Sequence, residues 1–113
     1  MTDNCLFCRI VRGEIPARRV MEDEHCIAFR DINPQAPVHV LVIPRIHVAH
    51  LDDARDPMML GRVMLMAGEV ARAEGVAEDG YRVVLNTNAT AGQTVFHLHA
   101  HVLGGREQAW PPG

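Results

Sequence analysis

Long apolar runs are missing from this chain. No segment is long enough to cross a bilayer, and the opening, Met1 to Leu6, is polar rather than leader-like. No membrane partner is expected, and the cytoplasm is the expected compartment. Charge of one sign is not concentrated anywhere. The 11 basic and 14 acidic side chains are mixed along the chain, for a net charge of -3, and no basic stripe points to DNA or RNA. Cysteine is scarce: Cys5, Cys8 and Cys26 form an odd set of 3, which argues against a disulfide framework in a chain expected in the cytosol. Internal repeats and low-complexity tracts are also absent. What the chain does hold is a large apolar share, 48% of 113 residues. That suffices for one domain with a packed core, residues 1–113, and not for two.

The elements follow from spacing and breakers. Cys5 to Glu14 reads as a short helix or turn that Gly13 and Pro16 end. Arg18 to Glu22 and His25 to Arg30 read as two short strands about a polar Glu22-Asp23-Glu24 turn. Asp31 to Pro37 carries two prolines and reads as loop, because each lacks an amide donor and restricts its predecessor. Val38 to Ile43 is a buried strand that Pro44 stops. Asp56-Pro57 pairs an N-cap with a first-turn proline. The helix after it, Met58 to Ala73, places Met59, Val63, Met66, Ala67, Val70 and Ala71 at helical spacing, with Gly75 or Gly80 closing it. That methionine-rich stripe is a core face rather than a cofactor site. Tyr81 to Thr87 is a further strand, Asn88 to Thr94 a polar loop, and Val95 to Leu103 a last strand ended by Gly104-Gly105. The fold class expected is α+β, with about five antiparallel strands, one long helix and a short N-terminal helix.

The last strand carries the chemistry. His97, His99 and His101 alternate with Leu98, Ala100 and Val102. On a strand, alternate side chains share a face, so the three imidazoles would lie about 6.6 Å apart on one side. One histidine on such a face is commonly a satisfied core residue. Three together are costly to bury without a task. Ligands at i, i+2 and i+4 lie nearly in line, which suits a single tetrahedral zinc poorly. Phosphate chemistry suits them better: a neutral imidazole is a competent nucleophile near pH 7, and neighbouring rings oppose each other's protonation. Gly92-Gln93-Thr94 precedes the run. Glycine lets backbone amides approach an anion, and Thr94 adds a hydroxyl.

Cys5-x-x-Cys8 has no thioredoxin-like context, so a redox role is not favoured. Tetrahedral zinc would need two more ligands, for which His25, His39, His47, His50 or one member of the triple run are available. Such an ion would tie the N-terminus to distant chain and raise stability. Asp31, before the proline-rich loop, is either a turn residue or an acceptor for ribose hydroxyls. His39 enters a buried strand and is either a core residue or part of a site.

H-L-H-A-H-V-L resembles the signature of the histidine triad (HIT) family, in which three histidines alternate with apolar residues. The likeness extends over nearly the whole chain: Cys5-Leu-Phe-Cys-Arg-Ile, Gly13-Glu-Ile-Pro, the Ala28 to His39 segment, Val42-Ile-Pro-Arg-Ile-His and Gly92-Gln-Thr-Val-Phe-His all look like family segments. Leu103-Gly-Gly-Arg followed by Trp110-Pro-Pro-Gly is similar to the Hint branch, the histidine triad nucleotide-binding proteins.

That resemblance implies a purine nucleoside phosphoramidase that cleaves the P–N bond of AMP–amine adducts. His99 would attack the α-phosphorus and form a nucleotidyl-histidine, which water then hydrolyses to AMP. His101 would bind phosphate oxygens and help the leaving group, His97 would set the strand's geometry, and Thr94 would lie near the leaving group. His39 occupies the family's additional active-site histidine. Gly92, Gln93, Val95 and Asn86 match the phosphate side, Asp31 matches the ribose-binding acid, and Phe7, Phe29 and Ile32 match the base pocket. The resemblance also implies a homodimer and a structural zinc on Cys5, Cys8, His47 and His97, with no organic cofactor. On the same scaffold the alternatives are a dinucleoside polyphosphate hydrolase and a nucleotide-binding partner protein without catalysis.

Overall fold

A computed structural model describes residues 4–113 of the chain; the first half of the polar opening, Met1 to Asp3, lies outside the described residues. The short helix is real and forms α1, Leu6–Val11. The Cys5 sulfur accepts from the Cys8 amide at 3.3 Å to cap it, and Gly13, at φ 76°, turns the chain away after it. β1, Arg19–Glu22, and β2, Cys26–Arg30, flank a turn in which the Asp23 carboxylate accepts from the His25 and Cys26 amides, each at 2.8 Å. β3 is Val38–Pro44. All but its first residue are buried, because both faces of the strand are covered.

One cover is α2, Pro57–Ala73, which the Asp56 side chain caps by accepting from the Met58 amide at 2.9 Å. Its buried residues are the six expected, Met59, Val63, Met66, Ala67, Val70 and Ala71. They pack on Ala28, Val40, Val42, Leu98, Ala100 and Val102 from one face of the sheet. The other cover is α1, whose Phe7 and Ile10 pack on Ile27, Phe29, Leu41 and Ile43. Alternation along β2 and β3 thus divides the core into two layers.

β4, Tyr81–Val84, stops before the expected Thr87, and β5 is Ala100–Gly104. The sheet order is β1-β2-β3-β5-β4, all pairs antiparallel, so β5 returns between β3 and β4. The expected strand over Val95 to Leu103 is corrected here: His97 and His99 precede the ladder, and Gly104 belongs to it. The backbone before β5 has other partners, the Leu98 amide donating to the Val48 carbonyl at 2.7 Å. Register then aligns His101 with Leu41, Leu41 with Phe29, and Phe29 with Arg19, one row across four strands.

Candidate active site and metal centre

The irregular approach to β5 leaves the three histidines on the α1 side of the sheet and gives each a different environment. Phe7 from α1 stands edge-on to both His97 and His99, with centroids 6.0 and 5.1 Å away, and the His99 and His101 rings lie 4.9 Å apart. Leu98, Ala100 and Val102 turn to the opposite layer against α2. The shared face expected from alternation is therefore kept even where the ladder is not.

Hydrogen bonds assign the ring protons. His99 Nδ1 lies 2.8 Å from the His97 carbonyl, which can only accept, so Nδ1 carries the hydrogen and Nε2 keeps its lone pair. The Gln35 amide donates to His39 Nδ1 at 2.9 Å. His39 therefore carries its proton on Nε2, and donates it to His101 Nδ1 at 2.9 Å. That fixes the remaining hydrogen of a neutral His101 on Nε2. Burial lowers His39 and His99 below the ordinary imidazole value, and burial together with the neighbouring His99 and His39 brings His101 to about 4. All three rings are neutral near pH 7, the state the hydrogen bonds require. Asp31 Oδ2 stands 3.3 Å from His39 Nε2. Asp31, His39 and His101 are close enough together to suggest a cation. The Gln35 amide excludes it: with Nδ1 already accepting, the proton on His39 Nε2 occupies the position a metal would need.

His99 and His101 open into a cleft of about 840 Å³. Thr94, Val95, Phe7, Phe29, Asp31 and Ile32 line the same cleft. These expected residues are brought together. Asn86, Gly92 and Gln93 are not among the residues lining the cleft. Gln93 is buried, and its amide group is used inside the protein: Oε1 accepts from the Asn88 amide at 2.8 Å, and Nε2 donates to the Ala49 and Val95 carbonyls at 2.8 and 3.1 Å. Gly92, at φ 102°, supplies the left-handed turn of that loop. Ile10, Ile15, Ala17 and Leu41 also line the cleft and were not singled out from sequence. For Ile10 a signal existed, its i+3 spacing from Phe7 on a short helix. A second hollow of about 660 Å³, bordered by Gly75, Tyr81, Arg82 and Gln108, contains none of these histidines.

His97 faces away from the cleft. Its Nε2–H donates to the Pro44 carbonyl at 2.8 Å, which leaves Nδ1 as a lone-pair donor. That atom is 3.4 Å from Cys5 Sγ, 3.5 Å from Cys8 Sγ and 3.3 Å from His47 Nδ1, and Cys8 Sγ is 3.3 Å from His47 Nδ1. A tetrahedral zinc bound at about 2.3 Å to sulfur and about 2.0–2.1 Å to nitrogen sets its ligands about 3.3–3.8 Å apart. These four separations fit that requirement, all four donor atoms lie within 4.8 Å of one another, and the Pro44 carbonyl orients the imidazole as the outer partner of a metal ligand does. This Cys/His cluster could bind a metal ion. Burial, with Cys5 beside it, pushes the Cys8 thiol up to about 11.

The HIT domain model matches residues 12–108. The chain belongs to the HIT domain family. It is 47% identical to the purine nucleoside phosphoramidase of Escherichia coli K12 over 94% of this chain and 91% of that protein. Among solved structures, the HIT family hydrolase of Legionella pneumophila Philadelphia 1 superposes with a TM-score of 0.95 and 52% identity, covering 97% of this chain and 100% of that one. A Zn-bound histidine triad family protein from Mycobacterium smegmatis aligns at a TM-score of 0.83 and 34% identity, covering 97% of this HIT chain and 81% of its own.

Proposed function

We propose that this HIT protein hydrolyses purine nucleotide adducts, cleaving the P–N bond between AMP and an amine through a nucleotidyl-His99 intermediate. The observation that carries the reading is the His99 ring. Its Nδ1–H is held by the His97 carbonyl, and it lines the cleft together with Thr94 and His101. The E. coli relative, named a purine nucleoside phosphoramidase, supports the same activity.

The chain's own residues supply each part. Phe7, Phe29 and Ile32 offer the base an apolar sleeve, and Asp31 offers a carboxylate to the ribose. The Nε2 lone pair of His99 attacks phosphorus, forming a P–N bond to the ring as the P–N bond to the amine breaks. The His97 carbonyl steadies the positive charge that develops on the imidazole. His101, neutral, hydrogen-bonds a phosphoryl oxygen through its Nε2–H, and the Thr94 hydroxyl hydrogen-bonds the leaving nitrogen, which takes a proton from solvent and departs as the neutral amine. Water then displaces His99 from phosphorus and releases its proton to solvent, giving AMP. Two displacements replace one difficult hydrolysis, and positioning with charge stabilisation carries most of the catalysis.

Zinc belongs to this reading as a structural ion on Cys5, Cys8, His47 and His97. When bound, it would cross-link α1 to the segment before β5, and it takes no part in the chemical steps. A homodimer also belongs to it: Met58, Met64 and Leu65 on α2 and Tyr81 on edge strand β4 are exposed apolar groups of the kind an interface covers. So does a cytoplasmic location, where Cys5 and Cys8 stay reduced for a cation.

The test is turnover of an AMP–lysine-type adduct beside diadenosine triphosphate, with mass spectrometry of quenched enzyme. A nucleotide adduct on His99, retention at a chiral phosphorothioate and faster P–N cleavage are expected, and His99→Ala should lose turnover while still folding and binding AMP. Inversion, or turnover by folded His99→Ala, defeats the reading.

A further inference from the structure

Asp31 uses both carboxylate oxygens inside the protein. Oδ1 accepts from the Asn33 amide at 2.8 Å, and Oδ2 faces His39 Nε2 at 3.3 Å. The Asp31 amide donates to the His39 carbonyl at 3.0 Å, so the two residues sit opposite each other where β2 and β3 part. The loop between them returns Gln35 to His39 Nδ1, and Arg106, just past β5, donates to the Gln35 carbonyl at 3.0 Å. His39 thus has one fixed proton, which His101 Nδ1 accepts, and the Asp31 carboxylate stands 3.3 Å from the nitrogen that carries it. A ribose contact alone explains none of this arrangement.

We infer that Asp31 is a positioning residue for the reaction as well as a ribose contact: through His39 it fixes which nitrogen of His101 carries the hydrogen and aims that hydrogen into the cleft. The His39 N–H points to His101 Nδ1, and the negative Asp31 carboxylate beside the same nitrogen favours the tautomer that keeps the hydrogen there. His101 accepts at Nδ1, so its remaining N–H faces the phosphoryl group. The orientation of the donor is then set on β2 and β3 rather than on the histidine run itself. This deepens the phosphoramidase reading and rests on it for the kinetic arm of the test.

Asp31→Asn keeps an oxygen for the Asn33 amide and places an NH₂ against the His39 N–H, donor against donor. The comparison is between AMP–amine adducts with an intact ribose and their 2′,3′-dideoxy counterparts. A role limited to ribose predicts a loss that disappears on the dideoxy substrate, which overturns the inference. The positioning role predicts a kcat loss on the order of tenfold to a hundredfold on both substrates, with the KM effect confined to the ribose form. Nitrogen-15 spectra of the histidine side chains give a readout that needs no turnover. Wild-type His39 and His101 should both be neutral with the proton on Nε2, and His101 should lose that single form in Asp31→Asn. A protein without phosphoramidase activity fails the functional reading alone, whereas unchanged His101 nitrogens in a folded Asp31→Asn fail the positioning role alone. The wild-type spectrum is decisive even if the variant does not fold: His101 protonated on Nδ1 overturns the scheme.

Discussion

A Cβ at Gly104 would lie 2.8 Å from the Cβ and Cγ2 of Val76, closer than real side chains approach. The residue is buried in β5 where the chain leaving α2 crosses it, so its lack of a side chain is a packing requirement rather than a turn signal. From sequence, Gly104-Gly105 reads as a strand terminator, which fits Gly105 at φ 87° but not Gly104. Gly104→Ala should destabilise the protein by about 1–3 kcal/mol through overpacking. Adding Val76→Ala should recover part of that loss in urea unfolding, although Val76→Ala alone removes buried surface. Additive losses in the double variant would mean that the two positions do not compete for space. The same limit applies to the histidines. Their identity and shared face were legible from alternation, but their tautomers were not, because those depend on the Pro44 and His97 carbonyls and the Gln35 amide, groups that no residue pattern announces.

Among elements, α1 reaches two places in six residues. Cys8, with Cys5 at its cap, joins the Cys/His cluster, while Phe7 and Ile10 line the cleft and reach the second core layer. A helix this short is marginal by itself and depends on tertiary anchors. A zinc ion binding only the folded state at about a thousand times its Kd adds about 4 kcal/mol. For a chain of this size that is a Tm change on the order of 15 °C. Stripping the metal, or replacing Cys5 and Cys8 by serine, should therefore lower Tm in calorimetry and also weaken AMP binding in titration calorimetry, since Phe7 moves with the cysteines. AMP affinity unchanged by metal removal would show α1 docked without the ion. The longer elements were the most legible: the α2 stripe matched its buried face at all six positions because one spacing and one cap specify it. β5 was overextended for a physical reason. In a regular ladder the His97 carbonyl would bond a neighbouring strand, whereas here it accepts from the His99 ring. The alternation of side chains survives that break, so sequence pattern could not reveal it.

At the scale of the whole molecule, two covers on one sheet bury neutral imidazoles, which links folding to pH. His101 titrates at about 4 in the folded chain, chiefly because burial disfavours its charged form, against an ordinary histidine value of about 6.5. Between those values the unfolded chain binds the proton and the folded chain does not. The slope of unfolding free energy with pH is therefore positive in this window. The stability His101 contributes is fully present above about 6.5. It falls away on acidification as far as about pH 4. His39 is lowered in the same sense, with burial again the main cause and Asp31 opposing it. Asp23, held low by the His25 and Cys26 amides, keeps its stabilisation until more acidic conditions, so it does not account for losses near pH 5. Urea midpoints of metal-stripped protein should consequently drop between pH 7 and pH 5. His101→Gln cannot take up the proton, so it should show a smaller drop over that interval than the wild type, whatever its stability at pH 7. An equal drop in both proteins would mean that His101 is as easily protonated folded as unfolded, and that the enclosure of the cleft by α1 and the sheet does not exclude charge from this ring.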